Sequence, residues 1–265
     1  MAYDMNIGFI GTGGITSAMV RGLCSSSEFK GKIILSVHKN RSCAEKLQSL
    51  YPEVISVSES NQNVADISDI VAIALPPTVH EDVVKSIKFK ESHRIIHITG
   101  GIKLEKSAPF YAPAKSAVRA IPLPFVARNM GPVLYCGEDE ICESILALMG
   151  TVVKVKSERE LEIMGPVTGL MVPYYALIGE YVKWTGEKGI ESKSCIDYAC
   201  CMNEALSSYM RTDCGDDIEK FLVQNSTPGG VNELGLKLLR EKGALSVWSE
   251  VLDALYVKYN ALDKG

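Results

Sequence analysis

The sequence has no long apolar run and no excess of basic residues. No stretch approaches the roughly 18 to 20 consecutive apolar residues that a helix needs to cross a bilayer. Its 28 lysines and arginines are outnumbered by 32 aspartates and glutamates, giving a net charge of -4, whereas a nucleic-acid-binding domain carries a basic surface. We therefore expect neither a membrane nor a nucleic acid as a partner.

Cysteine and histidine are too scattered to indicate a metal site or a disulfide framework. The eight cysteines include no Cys-x-x-Cys pair, and the four histidines all precede residue 100, whereas a zinc site needs its ligands clustered. The start Met1–Asp4 lacks the positive segment of a secretory leader. We expect no metal, reduced and mostly buried thiols, and a cytoplasmic protein that acts on a small molecule.

The first part of the 265-residue chain alternates short apolar runs with segments of helical periodicity. Several runs are apolar on both faces, which is typical of parallel strands covered by helices on both sides. The predicted strands are 6–10, 33–37, 70–75, 95–98 and 152–155. The pattern predicts an α/β fold whose N-terminal Rossmann domain is a doubly wound parallel sheet.

After residue 155 the sequence becomes helical in character. Ser157 and Glu160 form a capping box, which predicts that a helix begins there. We therefore predict two domains, 1–156 and 157–265, the second of them all-α. An apolar stripe between Trp248 and Tyr259 recurs at spacings of three and four. Because about a hundred residues make a small core, we expect a homodimer through these helices, with a larger assembly as the alternative.

A glycine-rich segment follows the first predicted strand and opens a helix, as a dinucleotide-binding fingerprint does. Its glycines permit a tight turn and a close approach of the backbone to a pyrophosphate at the helix N-terminus. Thr16 stands where the fingerprint has Gly or Ala, which predicts a slightly wider helix-to-strand spacing. The predicted cofactor residues here are Gly11, Thr12, Gly13, Gly14 and Ile15.

The end of the second strand should distinguish between the two nicotinamide cofactors. An acidic residue there binds the ribose 2′-hydroxyl of NAD and repels the 2′-phosphate of NADP. The sequence has no carboxylate at this point, which favours NADPH over NADH. The predicted cofactor residues are His38, Lys39, Asn40 and Arg41, together with Ala74, Leu75 and Pro76 after the strand 70–75.

The order of motifs resembles the pyrroline-5-carboxylate reductase family over nearly the whole chain. The matching segments are 7–13, 98–102, 118–122, Thr168-Gly169 ahead of Tyr174 and Glu180, and 226–230 before a helix ending at 239–243. The resemblance implies a Rossmann domain, a helical dimerisation domain, and reduction of 1-pyrroline-5-carboxylate to L-proline with NAD(P)H. It implies catalytic roles for Thr168 and Tyr174, cofactor binding by Thr99 and Gly100, and substrate binding by Thr227, Gly229, Gly230, Val231 and Asn232.

The sequence departs from the family where the family is polar. Apolar residues replace family polar residues in 121–125, 168–174 and 228–232, and a carboxylate without donors is costly to bury. A less polar imine and a non-catalytic NADPH-binding protein are therefore alternatives. A 3-hydroxyacid dehydrogenase is less favoured, because Lys183 has no asparagine after it.

Overall fold

A computed structural model describes residues 3–37 and 41–261 of the chain. Within these residues, eight strands are present: β1 (Ile7–Ile10), β2 (Ile33–Ser36), β3 (Ile55–Ser58), β4 (Ile70–Ile73), β5 (Arg94–His97), β6 (Ser116–Pro122), β7 (Pro132–Cys136) and β8 (Thr151–Lys154).

Twelve α-helices occur in the same described ranges. They are α1 (Gly14–Ser25), α2 (Arg41–Leu50), α3 (Asn61–Asp66), α4 (Pro77–Lys85), α5 (Leu104–Tyr111), α6 (Glu140–Ala147), α7 (Glu158–Met164), α8 (Met171–Gly186), α9 (Ser192–Asp213), α10 (Ile218–Gln224), α11 (Val231–Glu241) and α12 (Ser246–Ala261). Two 3-10 helices, Pro124–Arg128 and Gly165–Leu170, complete the secondary structure of this part of the chain.

The strands form one sheet in the order β3-β2-β1-β4-β5-β6-β7-β8. All neighbouring strands are parallel except β6 and β7, which pair antiparallel. The chain runs outward from β1 to β3 and then crosses back to β4, so the winding reverses between β1 and β4. The predicted doubly wound α/β fold is confirmed, and this reversal is where such sheets bind ligands.

Alternate residues of the central strands belong to two apolar clusters. Phe9, Leu35 and Ala72 pack in one cluster, while Ile10 and Ile73 pack in the other. Because successive side chains in a strand point to opposite faces, both faces of the sheet are buried. This explains why the predicted strands read as continuous apolar runs.

Five strands lie where the sequence predicted them, and three others were not predicted. β3 is a short edge strand whose last two residues are partly exposed, so it lacks the apolar run of the central strands. β6 contains a charged residue, Arg119, that is buried. Its charge interrupts the apolar run in the sequence.

The chain divides into two compact units, residues 1–165 with 257–265, and Pro166–Tyr256. We call them the sheet unit and the helical unit. The sequence predicted a boundary at residue 156, whereas the structure groups α7 with the sheet. The reason is that Leu161 of α7 is fully buried against Leu134 and Val155, so the capped helix is part of the sheet unit's core.

The helical unit has little core of its own. Its buried apolar residues, among those described, are Ile178, Cys195 and Ala199. Large apolar side chains elsewhere in this unit are exposed, including Val172, Trp184, Leu206, Val223 and Leu234.

One helical stretch in the described part of the chain, Glu158–Gly186, is long and apolar enough to cross a membrane by length and composition. A single stretch of this kind is a weak signal, because apolar helices of soluble proteins pass the same test.

Candidate functional site

A cavity of about 730 Å³ lies at the carboxyl ends of the central strands of the sheet unit. Its volume is in the range of small-molecule and cofactor sites. It is lined by Gly11, Thr12, Gly13, Gly14, Ile15, Thr16, Ser36, Asn61, Ala74, Leu75, Pro76, Thr78, Val79, Val83, Ile98, Thr99 and Gly100. The structure thus brings together ten of the predicted cofactor residues, from the segments after β1, β4 and β5.

The turn after β1 needs two different properties of its glycines. Gly11 has a φ of 99°, and a Cβ there would lie 2.4 Å from the carbonyl oxygen of Ala74. A Cβ on Gly13 would meet no atom within 4 Å. Gly11 therefore makes the turn and the close approach to β4 possible, while Gly13 leaves its backbone open to the cavity.

Hydroxyl groups hold this turn in place. The Gly11 N–H donates to Ser36 Oγ at 2.9 Å, and Thr12 Oγ1 donates to the carbonyl oxygen of Ser36 at 2.8 Å. Thr16 Oγ1 donates to the carbonyl oxygen of Gly11 at 2.7 Å. The prediction treated Thr16 only as a bulky spacer, but its buried hydroxyl ties helix α1 to the turn.

The predicted residues at the end of β2 are placed less completely. His38, Lys39 and Asn40 lie outside the described residues. Arg41 is not among the residues that line the cavity. Its guanidinium pairs with Glu59 and, at 3.4 Å, with Glu45. In this structure the cation that was predicted to face a 2′-phosphate is bound by carboxylates.

Seven residues that line the cavity were not predicted: Thr16, Ser36, Asn61, Thr78, Val79, Val83 and Ile98. Asn61 begins α3, directly after the unpredicted strand β3, so its position could not be inferred. Ser36, in contrast, ends a predicted strand at the carboxyl edge of the sheet. A polar residue at that edge was the available signal.

The predicted catalytic residues Thr168 and Tyr174 both belong to the helical unit. Thr168 is partly exposed within the 3-10 helix Gly165–Leu170. Tyr174 lies on α8 and is 39% exposed. Its ring makes an edge contact with Tyr175, at 6.2 Å between centroids, and partial burial raises the pKa of its hydroxyl.

The predicted substrate-binding residues form the turn that leads into α11. Gly229 has a φ of 72°, and the Val231 side chain is 85% exposed to solvent. The Gly229 N–H donates to Glu233 Oε2 at 2.7 Å, and the Gly230 N–H donates to the carbonyl oxygen of Thr227 at 2.8 Å.

Two N–H groups of this turn are therefore already hydrogen-bonded within the chain. Gly230 closes the turn onto Thr227, while Gly229 already binds a carboxylate. The Asn232 amide points elsewhere, since its Nδ2 donates to the carbonyl oxygen of Asn225 at 3.4 Å. Glu233, in the first turn of α11, thus reaches back to the backbone ahead of its own helix, as in a capping box.

The eight cysteines are unpaired, and the expectation that most of them are buried is wrong. Cys142 and Cys195 are buried, four others are partly exposed, and Cys200 and Cys201 are exposed. Both exposed thiols lie on α9 of the sparsely packed helical unit. Across residues 3–37 and 41–261, no group of three or more His, Cys, Asp or Glu side chains is placed to hold a metal ion.

Comparison with known proteins gives a consistent picture. Residues 6–101 match a family model described as NADP oxidoreductase, coenzyme F420-dependent. Pyrroline-5-carboxylate reductase 1 of Dictyostelium discoideum is 30% identical over 122 residues, which are 45% of this chain and 22% of that protein. Pyrroline-5-carboxylate reductase 2 of Bacillus subtilis is 23% identical over 245 residues, covering 89% of this chain and 87% of that protein.

A solved structure of Plasmodium falciparum pyrroline carboxylate reductase with NADP bound has the same fold. Its TM-score is 0.79 at 18% identity, and the match covers 99% of this chain and all of that one. This likeness shows that the chain has the fold of that protein.

Proposed function

We propose that this chain, a divergent member of the pyrroline-5-carboxylate reductase family, is an NAD(P)H-dependent reductase of a cyclic imine. The observation that carries the proposal is the cavity at the switch point of the sheet, built on a turn whose Gly11 and Gly13 have the two properties a dinucleotide site needs. The names of the relatives support the reaction class. The leading substrate is 1-pyrroline-5-carboxylate, reduced to L-proline.

The residues of the cavity fit a nicotinamide cofactor. The open backbone at Gly13 and the N-terminus of α1 favour a pyrophosphate, because free N–H groups and the helix dipole attract negative charge. The segments after β4 and β5 lie on the other side of β1 from β2, and so they would contact the nicotinamide half. When bound, such a cofactor supplies the hydride.

The protein has a limited chemical task in this reaction. A protonated C=N group is already an electrophile, so the chain must mainly bind, orient and exclude water. We assign Thr168 and Tyr174 to the reacting end of the substrate. Partial burial raises the pKa of Tyr174, so its hydroxyl stays protonated at neutral pH and can donate a hydrogen bond to the nitrogen of the neutral imine, before that nitrogen takes up its proton.

The turn before α11 supports a substrate with a carboxyl group. Gly229 holds the Glu233 carboxylate with its backbone N–H at 2.7 Å, so the turn has the shape and polarity to bind this group. A substrate carboxylate would replace that side chain. We assign Thr227, Gly229, Gly230, Val231 and Asn232 to this role.

The apolar substitutions favour a second candidate, a larger or less polar imine. Val172, which stands in the segment where the family is rich in serine and glycine, is 71% exposed, and a pocket built from such residues would suit an apolar substrate. If the changed segments no longer bind any imine productively, the chain is instead a non-catalytic NADPH-binding protein.

For the cofactor we propose NADPH, with NADH as the alternative. The segment 37–42 has no carboxylate of its own. The Arg41 guanidinium pairs with two carboxylates from outside this segment, those of Glu45 and Glu59. A 2′-phosphate would compete with these carboxylates for the guanidinium. A bidentate guanidinium suits phosphate oxygens as well as it suits carboxylates.

We propose a homodimer formed through the helical unit, in the cytoplasm, with a larger assembly as the alternative. The support is the large number of exposed apolar side chains on α8 to α12 together with the very small core of that unit. An apolar surface of this extent is typical of an obligate interface.

The test is an assay of the purified protein with NADPH and NADH against two ring imines, one with and one without a carboxyl group. Faster turnover of the carboxylated ring is expected. Faster turnover of the uncarboxylated ring would favour the second candidate. Tight NADPH binding with no turnover on any ring would favour the non-catalytic alternative.

A further inference from the structure

A chain of buried polar side chains lies directly behind the wall of the cavity that β5 supplies. It comprises Thr99, His80 and Ser107 in one half, and Tyr111 and His97 in the other. His80 Nδ1 is 3.1 Å from Thr99 Oγ1, and its Nε2 is 2.8 Å from Ser107 Oγ. His97 Nδ1 is 2.7 Å from the Tyr111 hydroxyl. The rings of His80 and His97 make an edge contact, at 5.1 Å between centroids, and this contact joins the two halves. We call these five residues the relay.

The direction of the bonds follows from the far end of the relay. His97 Nε2 lies 2.9 Å from the carbonyl oxygen of Ile102, which can only accept, so Nε2 carries the proton. The ring is neutral because burial lowers its pKa to about 4. Its Nδ1 must then accept, and the Tyr111 hydroxyl donates to it.

The two bonds of His80 follow from the other end of the relay. Thr99 Oγ1 donates to the carbonyl oxygen of Ile73, so it accepts from His80 Nδ1, and Ser107 then donates to His80 Nε2. His80 is also fully buried, and burial lowers its pKa, so a neutral ring with one donor and one acceptor satisfies both neighbours. Every relay side chain is buried. Removing the polar group of any one relay side chain would leave a buried neighbour without its hydrogen-bond partner, which lowers the stability of the fold.

The relay connects three elements to the wall of the cavity. His80 comes from α4, Ser107 and Tyr111 come from α5, and His97 ends β5. Thr99 is held from two sides, since its hydroxyl also lies 3.4 Å from the carbonyl oxygen of Ile73 at the end of β4. Thr99 and Gly100 line the cavity, and a Cβ on Gly100 would meet no atom within 4 Å. The Ile98 N–H makes the last ladder bond of this segment, to the carbonyl oxygen of Ile73. Beyond it, the Thr99 side chain ties the segment to His80 and Ile73.

We propose that His80 is a positioning residue for the cofactor: through the relay it fixes the Ile98–Gly100 wall against which the nicotinamide half of NADP(H) binds. This inference rests on the proposed function. It concerns one half of the ligand, because the segment after β5 lies on the side of β1 opposite to β2, where the adenosine half would bind.

The experiment compares two ligands by calorimetry, NADP⁺ and 2′-phospho-ADP-ribose, which lacks only the nicotinamide ring. For His80→Gln, Thr99→Val and Ser107→Ala we expect the affinity for NADP⁺ to fall about tenfold, with the affinity for 2′-phospho-ADP-ribose nearly unchanged.

Ser68→Ala is the matched control. Ser68 is also buried in the sheet unit, and its Oγ donates to the carbonyl oxygen of Val64 at 2.6 Å, but it does not line the cavity. It should lower the melting temperature without changing the ratio of the two affinities. An equal loss for both ligands in the relay variants, or no loss for either, would overturn the inference. Failure of the wild type to bind NADP⁺ would overturn the proposed function, and the inference with it.

Discussion

Gly11 and Gly13 stand two positions apart but are constrained differently, which makes them separable by mutation. We expect Gly11→Ala to destabilise the fold by at least about 2 kcal/mol, because the new Cβ meets β4 and the φ is positive. Gly13→Ala should change the free energy of unfolding by less than about 0.5 kcal/mol, since nothing lies within 4 Å. Both should abolish binding of NADP⁺. Urea unfolding and calorimetry measure the two effects.

Gly179→Ala on the exposed surface of α8 is the control for a glycine replacement, because its Cβ would also meet nothing within 4 Å. It should leave NADP⁺ binding unchanged. A Gly13→Ala variant that bound NADP⁺ normally would contradict the assignment of the turn.

His97 predicts how stability depends on pH. Its pKa is about 4 in the folded chain and about 6.5 in an unfolded one. Between these values the unfolded chain binds a proton that the folded chain does not, so the free energy of unfolding falls as the pH falls from about 6.5 to about 4. Near pH 5 the loss from this residue is about 2 kcal/mol. Burial lowers the pKa of His80 and His93 in the same direction.

The measurement is urea unfolding near pH 7 and near pH 5, for the wild type and for His97→Asn. The variant should be less stable near pH 7, because Tyr111 loses its acceptor. Its further loss on acidification should be smaller than that of the wild type. An equal pH dependence in both would show that the ring does not titrate as described.

Single residues could be predicted from the sequence where their role is a backbone requirement. Gly11 is an example, since a tight turn after a strand is visible in the order of residues. The relay could not be predicted, because His80 and Ser107 meet only when α4 and α5 pack on the same face of the sheet. His97 ends a buried strand, and both its ring nitrogens are hydrogen-bonded within the protein.

Glu158 stabilises a helix that lies more than fifty residues before it. Its carboxylate accepts from the N–H groups of Leu104 and Glu105 at the start of α5, and from Arg119 Nη1 at 2.7 Å. The Arg119 side chain is only 3% exposed. We expect Glu158→Gln to lower the free energy of unfolding by about 3 kcal/mol, because a buried charge loses its counter-ion.

The control is Glu138→Gln, which removes an ion pair with Lys154 at 3.2 Å on a carboxylate that is 92% exposed. It should cost less than about 0.5 kcal/mol. Similar losses for the two variants in urea unfolding would mean that the buried pair contributes no more than a surface pair.

The first turn of α11 predicts a competition between two carboxylates. If Glu233 occupies the Gly229 N–H that a substrate carboxylate needs, then Glu233→Gln should lower the KM for a carboxylated imine several-fold, because the repelling charge is gone. The KM for an uncarboxylated imine should not change. Glu241→Gln at the other end of α11 is the control. A KM that stays unchanged for both imines would place substrate binding elsewhere.

Whole elements could be predicted where apolar periodicity is uniform. The capping box at Ser157 is present, with Ser157 Oγ accepting from the Glu160 N–H and Glu160 reaching back to the Lys156 N–H. β7 could not be predicted, because it pairs antiparallel with β6 and starts at Pro132. Pairing with a neighbour, which the local sequence does not encode, decides such strands.

The proposed dimer makes a prediction about the mass of the particle in solution. Light scattering should give about twice 28.9 kDa or a multiple of that value. Leu206→Glu on α9, at a side chain that is 55% exposed in the single chain, should shift the mass toward one chain. Ile67→Glu, at a side chain of the sheet unit that is 47% exposed, should not. A single-chain mass for the wild type would contradict the dimer.

The general architecture could be predicted, but not the way the chain is divided. The change from strands to helices is visible in the sequence near residue 156. The grouping of the last residues of α12 with the sheet unit is not visible, because it depends on Tyr259 packing on Gly165. The apolar periodicity of α12 predicts that the helix has an apolar face. It does not predict which residues that face contacts along its length.

The packing of Tyr259 on Gly165 has a consequence for how the protein is synthesised. Gly165 acquires this neighbour only after about ninety further residues, those of the helical unit, have been translated. The core of the sheet unit is therefore completed only after the helical unit has been made. A protein truncated at residue 156 would lack Glu158, Leu161 and Tyr259 together, and it would expose a buried arginine without its counter-ion.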